Sequence, residues 1–292
     1  MTCRRPSYAT FFSWTCLVAA SVALPFDCRS ESPLPSALQS VNLGDVQVTL
    51  PEPTFSDSLD ASAEQAALKT AAGKYPLDRF TRESIVSPFT LSRESIKDSN
   101  GVRIGHRVDL WFVAHGSLSA IRDEDLFGTM LETDEDEPGS GTEITEEELA
   151  SRGLKLENEL FEEAYYRFAA PILDQVRVRG VVHGLSQSTE RSHFASVTIA
   201  DCFDDDEDYP NLWEHIKDDT PSPLAYTGFA GYAKATQLQT VADAVLVECH
   251  AVLHEPVAWF KSPNLLSSKL PLVTQDTVRS FRRALAKRSP KQ

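Results

Sequence analysis

The sequence has 292 residues, of which 41% are hydrophobic, and a formal net charge of −15 at pH 7. This length can bury a substantial core, so we expect one domain with an extended N-terminal region. The acidic charge argues against nucleic-acid binding, because phosphate contacts need a basic surface, and against adhesion to anionic membranes.

The first residues have the features of a secretory signal. Arg4 and Arg5 form a positive n-region, and an apolar h-region follows over residues 11–23. This run ends in the small-residue cleavage site Ser21-Val22-Ala23 and is short for a membrane span of about 20 residues. A buried N-terminal helix or an uncleaved anchor is the alternative. We expect an exported protein, periplasmic or extracellular, with residues 1–23 as signal peptide and no stable membrane span after its cleavage.

Residues 24–74 are expected to be a low-complexity linker that contains a short helix. The part up to residue 60 is rich in Ser, Pro and Asp. The part from Ala61 to Ala72 contains strong helix formers and precedes Gly73, which suits a helix C-terminus. We expect residues 75–292 to form the single folded domain.

Alternation of apolar and polar residues predicts five strands between residues 102 and 254. They are Val102 to His115, Gln175 to Leu185, His193 to Cys202, Tyr226 to Thr240 and Val241 to His254. The last has Val245, Val247 and Cys249 on an apolar face, while Glu248, His250 and His254 share the other face. One-sided alternation of this kind is typical of an antiparallel sheet.

Helical patterns occupy other segments. Thr145 and Glu148 have the spacing of a capping box at the start of a short helix. Apolar residues at helical spacing predict a second helix from Leu156 to Phe168. The proline-containing stretch from Lys261 to Thr274 is predicted to be a loop, and Asp276 to Lys287 an amphipathic C-terminal helix.

These elements predict an α+β fold, an antiparallel sheet with helices on one face and a C-terminal amphipathic helix. The order of elements resembles the helix-grip topology of START-like and related ligand-binding domains. In those folds a long C-terminal helix lies across a curved sheet and encloses an apolar cavity. The resemblance lies in the element order and not in any motif, so it implies nothing specific about function.

Glu248, His250 and His254 are the candidate metal ligands. Residues two apart on one strand are about 6 to 7 Å apart, so zinc would need a further ligand from another strand, such as His115 or His183. A solvated polar face is the favoured alternative.

A second candidate for metal binding is an acidic loop. Asp204, Asp206 and Asp208 occupy positions one, three and five of a calcium-loop pattern. Tyr209 and His215 then stand where the pattern requires Gly and a bidentate Glu. A plain charged turn is therefore favoured over weak calcium binding.

Neither covalent catalysis nor phosphate binding has a recognisable motif. The sequence contains no G-x-S-x-G elbow, no P-loop and no G-x-G-x-x-G pattern. After signal cleavage Cys28, Cys202 and Cys249 remain. A Cys202–Cys249 disulfide is expected in an oxidising compartment, with two buried free thiols as the equal alternative.

Four residues on the second face of the predicted sheet are the candidate ligand-binding residues: Arg107, Trp111, Arg177 and Arg179. In an acidic protein these arginines could bind an anionic ligand. Pairing with the acidic loops is the favoured interpretation, because lone surface charges are weak indicators of a site.

Three functions are compatible with these features. An exported binding module would hold an apolar or amphipathic small molecule between the sheet and the last helix, in a pocket on the order of several hundred Å³. A metal-assisted enzyme would use the His/Glu cluster with three converging ligands. A structural or interaction protein of the cell envelope is the third, and the sequence specifies no cofactor for any of them.

Overall fold

A computed structural model describes residues 33–122, 126–127, 141–216, 223–262 and 264–288. The predicted signal peptide, residues 1–23, and residues 132–140 of an acidic stretch that spans residues 132–148 lie outside the described residues. No described helix is long and apolar enough to cross a membrane.

One antiparallel sheet contains nine of the strands in the described part of the chain. They are β3 (Thr90–Lys97), β4 (Arg103–His115), β5 (Glu162–Ile172), β6 (Val176–Ser188), β7 (Ser192–Ile199), β8 (Leu212–His215), β9 (Leu224–Ala225), β10 (Phe229–Gln237) and β11 (Ala244–His254). Their order is β3-β4-β11-β10-β7-β6-β8-β9, with β5 also paired to β6. Both predicted hairpins are confirmed, because β6 pairs with β7 and β10 pairs with β11.

Besides two short 3-10 helices, Asp201–Phe203 and Val257–Trp259, the remaining elements within the described residues are a small hairpin and six α-helices. They are β1 (Val41–Leu43), β2 (Val46–Val48), α1 (Ser36–Gln39), α2 (Ala61–Ala72), α3 (Leu77–Phe80), α4 (Leu118–Arg122), α5 (Glu146–Ser151) and α6 (Leu265–Arg288). Gly73 follows the last residue of α2, as predicted. The φ of Gly73 is +57°, a backbone conformation that favours glycine. The capping box of Thr145 and Glu148 begins α5.

Helix α6 lies on one face of the sheet, called here the helix face. Leu266, Val278, Phe281 and Leu285 are buried there against the sheet. The predicted α+β class, with a long C-terminal helix against an antiparallel sheet, is confirmed.

Residues 33–60, called here the strap, cover the opposite face, called the strap face. Leu38 and Leu43 of the strap are fully buried and share a core with Tyr232 and Val252 of the sheet. Helix α2 extends this cover towards Val113 and Leu246. Residues 33–74 of the segment expected to be a linker therefore pack against the sheet.

Two predicted elements are wrong. The segment Leu156 to Phe168 is not a helix, because β5 runs from Glu162 and pairs with β6 along its length. The stretch Lys261 to Thr274 is not a loop, because α6 begins at Leu265 and continues through Pro271. In both cases a local pattern is overridden by tertiary contacts.

Candidate functional site

A small apolar cavity of about 30 Å³ lies between the helix face and α6. Val108 and Leu110 of β4, Cys249 of β11, and Leu270 and Thr274 of α6 line it. This volume has room for about one or two water molecules. The pocket of several hundred Å³ predicted for a binding module is absent from this arrangement of the described residues.

The sheet side of this cavity combines the small residues Gly231, Cys249 and Ala251 with the larger side chains of Val108, Leu110, Val197 and Phe229. At Gly231 a Cβ atom would lie 3.0 Å from the Cβ of Ala251, so the backbone there approaches its neighbour closely.

The first turns of α6 form the roof of the cavity and are attached to the sheet edge. Pro271 has no N–H to donate to the carbonyl of Ser267 four residues earlier. Arg93 of β3 donates to this carbonyl instead, with its Nη1 2.8 Å away. The roof is thus held by a contact from β3 and not by the regular helix pattern alone.

A buried polar cluster lies on the same face of β4. His106 Nε2 is 2.8 Å from Glu255 Oε2, and Arg103 donates to Glu255 Oε1 at 2.9 Å. The hydroxyl of Ser267 on α6 is 3.5 Å from His106 Nε2. His106 and Glu255 are only 1% and 3% exposed, and His106 Nδ1 has no hydrogen-bond partner among the described residues.

Sequence reasoning missed this cluster. The one local signal was His106 itself, a histidine among apolar residues on one face of a strand. Glu255 and Ser267 lie far away in the chain, so only the folded sheet and helix bring the three together.

A second buried polar cluster lies on the strap face. His250 Nδ1 is 2.7 Å from Asp109 Oδ1, and Arg107 Nε is 3.1 Å from Asp109 Oδ2. Burial opposes ionisation of both Asp109 and His250. The mutual contact, with Arg107 beside Asp109 and Glu248 beside His250, nevertheless lowers the pKa of Asp109 and raises the pKa of His250.

Glu248 and Lys234 bind the strap. The carboxylate of Glu248 accepts from the backbone N–H groups of Thr54, at 2.8 Å, and Phe55, at 3.1 Å. Lys234 Nζ donates to the carbonyl of Phe55 at 2.5 Å. Glu248 is fully buried and His250 is 1% exposed, so the expected solvated polar face is wrong at these positions.

The candidate metal ligands do not converge. His250 Nε2 lies 3.7 Å from Glu248 Oε2, but His254 stacks on Tyr226 near the end of β11. Within the described ranges, no group of three His, Cys, Asp or Glu side chains could hold a metal ion. The predicted metal site therefore has no support from this geometry.

The two other histidines proposed as ligands are engaged elsewhere. His115 bonds to the carbonyl of Thr81 at 2.9 Å. His183 Nε2 is 2.6 Å from Glu163 and its ring stacks on Tyr165.

The candidate ligand-binding residues are divided between two regions of the sheet. Arg107 pairs with Asp109, and Trp111 packs edge-on against His250. Arg177 and Arg179 lie on β6, four strands from β4, which is roughly 19 Å at the usual strand spacing. They do not form one anion site with Arg107.

The acidic loop is a charged turn. Arg152 binds Asp206 at 2.6 Å and Asp208 at 2.9 Å, while Asp204 accepts from Asn211. The hydrogen bond from Arg152 lowers the pKa of Asp206. These carboxylates are engaged by protein groups, so the calcium pattern has no support here.

The expected disulfide is absent, because Cys202 and Cys249 are both free. Cys249 pairs with Ala233, which pairs with Ala195, and Cys202 lies seven residues beyond Ala195. Two strand spacings and this length of chain put the two cysteines on the order of 15 Å apart or more. A disulfide needs Cα atoms within about 7 Å.

Comparison with solved structures finds weak likenesses. The lipid transfer and protein localization domain of human StarD13 (DLC2) matches with a TM-score of 0.41 and 11% identity, over 76% of this chain and 95% of that one. Human STARD10 matches with a TM-score of 0.40 and 10% identity, over 84% of each chain. A conserved protein from Geobacillus kaustophilus matches with a TM-score of 0.30 and 8% identity, over 62% and 95%.

No protein-family model and no curated protein sequence matches the chain. At the identities and TM-scores of the structural matches, function has to be argued from the geometry of this chain itself.

Proposed function

We propose that the protein binds an apolar or amphipathic small molecule between the sheet and α6. The observation that carries the proposal is the apolar cavity at this interface, which Gly231, Cys249 and Ala251 line from the sheet. Ligand pockets typically enclose about 300–1,000 Å³, and this cavity has about 30 Å³. The ligand therefore enters by displacing part of α6.

The displaced part is residues 265–270, called here the lid. The lid precedes Pro271, where the regular helix hydrogen bonding is interrupted. The later turns are fixed, because Arg282 is buried and donates to the carbonyls of Val113, Ser87 and Pro88. Leu266 and Leu270 leave the sheet with the lid, and apolar ligand atoms replace them.

Titration with diphenylhexatriene, an apolar probe that fluoresces when it leaves water, tests this proposal. We expect saturable binding of one probe per protein. Ala251→Leu places a larger side chain in the cavity and should weaken probe binding at least about tenfold, since overpacking a filled site costs about 1–3 kcal/mol.

The matched control is Ala286→Leu, the same substitution at an exposed position of α6. This variant should bind the probe like the wild type. Binding that does not saturate, or that is unchanged in Ala251→Leu, would place the probe elsewhere and contradict the proposal.

We also propose export, which rests on the signal features of residues 1–23. Protein from an exporting host should have the mass of a chain that begins at Leu24. The mass of a chain that still includes residue 1 would contradict cleavage.

A further inference from the structure

A threonine interrupts the apolar stripe that α6 presents to the sheet. Leu266, Leu270 and Phe281 of this stripe are buried. Thr274 lies one turn after Leu270, on the same side of the helix, and is only 6% exposed. Burying a hydroxyl is unfavourable unless it is hydrogen-bonded, so a threonine here needs a partner that an apolar residue would not.

The hydroxyl of Thr274 has no hydrogen-bond partner among the residues that the structure describes. In a helix, a threonine hydroxyl can donate to the carbonyl four residues earlier. Thr70 in α2 and Thr81 at the end of α3 make this bond. Thr274 lines the cavity between the sheet and α6, so an atom inside the cavity can serve as its partner.

Thr274 stays in place when the lid opens. The lid ends at Leu270, and Thr274 follows Pro271 on the turns that Arg282 attaches to the sheet. Thr274 therefore lies at the inner end of the space that the lid uncovers. A ligand that enters under the lid reaches this hydroxyl with its leading end.

We propose that the hydroxyl of Thr274 binds an uncharged oxygen, a hydroxyl or a carbonyl, at the leading end of the ligand. The inference rests on the proposed function, because the apolar part of the ligand would occupy the space under the lid. It adds the chemical class of the polar group that this space accepts.

The other polar groups around the cavity offer no charge to a ligand. Tyr232 and His250 border the cavity, but their side chains bond to Pro51 and Asp109 on the strap face. Burial raises the pKa of the Cys249 thiol to about 12, so this thiol is neutral. A carboxylate placed here would lose its hydration with no cation beside it, which is strongly unfavourable. An uncharged oxygen needs only the hydrogen bond.

Octanol and nonane test the inference. The two molecules have equally many non-hydrogen atoms, and octanol has a hydroxyl where nonane has a methyl group. Their affinities are measured by displacement of diphenylhexatriene from the wild type and from Thr274→Val. The substitution should weaken octanol binding about tenfold, the usual effect of one buried hydrogen bond, and leave nonane binding unchanged. The difference between the two changes isolates the contact of the two hydroxyls.

Octanoate extends the test to charge. At about pH 8 its carboxylate is ionised, and we expect it to lie away from Thr274. Thr274→Val should therefore leave the affinity for octanoate unchanged. A tenfold loss for octanoate as well would show that Thr274 accepts a charged group, and would overturn the proposal.

The matched control is Thr277→Val, the same substitution three residues further along α6, at a position that does not line the cavity. It should leave all three affinities unchanged. Thr274→Ser retains the hydroxyl and should bind octanol like the wild type. If Thr274→Val does not fold, the pair Thr274→Ser and Thr274→Ala makes the same comparison with and without a hydroxyl.

The outcomes separate this inference from the proposed function. Equal changes for octanol and nonane in the variant without the hydroxyl, or no change in either, overturn the inference and leave the binding function intact. Failure of octanol to displace the probe also overturns the inference. Failure of the probe itself to bind the wild type overturns the proposed function, and the inference with it.

Discussion

Arg93 Nη1 lies 2.8 Å from the carbonyl oxygen of Ser267. Pro271 has no N–H for this carbonyl, so the guanidinium replaces a bond that the helix lacks. The contact also links the lid to β3 at the edge of the sheet. One side chain therefore stabilises the end of the helix and holds it over the cavity.

Removing this contact should increase opening of the lid. In a protein whose other cysteines are serine, Arg93→Met should raise the rate at which a thiol reagent modifies Cys249 by about twofold to tenfold. This range corresponds to the loss of one partly exposed hydrogen bond. Burial raises the pKa of the Cys249 thiol to about 12, so it reacts only when exposed.

The matched control is Lys97→Met, which removes a positive charge from an exposed position of the same strand. It should leave the modification rate of Cys249 unchanged. Identical rates for Arg93→Met and its parent would mean that Arg93 does not hold the lid.

Arg282 should be far more important for stability than its neighbour Arg283. Arg282 is 4% exposed and donates to the backbone carbonyls of Val113, Ser87 and Pro88. Burial lowers its pKa to about 10. Arg282→Met leaves these carbonyls without their donor and should lower the free energy of unfolding by about 3 kcal/mol or more.

Denaturant unfolding measures this difference. Arg283 is exposed, so Arg283→Met should change the free energy of unfolding by less than about 0.5 kcal/mol. Equal losses in the two variants would show that the contacts of Arg282 contribute nothing specific.

His193 should make the protein less stable in mild acid. Burial, reinforced by the charge of Arg122, lowers its pKa from 6.5 to about 4. As the pH falls through this range, the unfolded chain binds a proton that the native state does not, so the free energy of unfolding falls. The loss between pH 7 and pH 5 should be about 2 kcal/mol.

The variant His193→Asn tests this contribution, because an amide has no such titration and can still bond to the hydroxyl of Ser188, 2.9 Å from His193 Nδ1. Its stability should depend less on pH than that of the wild type by the same amount. Parallel pH profiles for the two proteins would exclude the effect.

Glu248 should control attachment of the strap. Glu248→Ala removes the acceptor for the N–H groups of Thr54 and Phe55 and leaves Lys234 buried with less negative charge nearby. We expect a loss of about 3 kcal/mol in the free energy of unfolding. Hydrogen exchange of the backbone around Thr54 should become faster.

The matched control for Glu248→Ala is Glu94→Ala, because the side chain of Glu94 is 70% exposed. This variant should leave hydrogen exchange in the strap unchanged. If Glu248→Ala has no effect on this exchange, apolar contacts alone hold the strap.

The fold class was predictable where the sequence pattern is local. The hairpin of β10 and β11 has clean alternation, and α2 has helix formers followed by Gly73. The sequence pattern predicts a helix where β5 lies, because Leu160, Ala164 and Phe168 also recur at helical spacing. Its pairing with β6 decides the conformation, and no local pattern contains that information.

The site was less predictable, because long-range contacts create it. The polar face of β11 suggested solvent exposure, and only the strap, almost two hundred residues earlier, explains why Glu248 is buried. Pro271 favours a loop in the sequence. In the structure, Arg93 on β3 donates to the Ser267 carbonyl that Pro271 cannot bond, and the segment is helical. The cavity arises from the distance between sheet and helix, which composition does not specify.

The attachment of the strap also has consequences for the order of folding. Thr54 and its acceptor Glu248 are separated by 194 residues. Because synthesis is vectorial, the strap emerges first and its binding surface is among the last parts made. Contacts of such long sequence separation form slowly, so Leu38, Leu43 and Phe55 stay exposed until β10 and β11 have paired. Burial of the N-terminal segment should therefore be a late, slow step in the maturation of this protein.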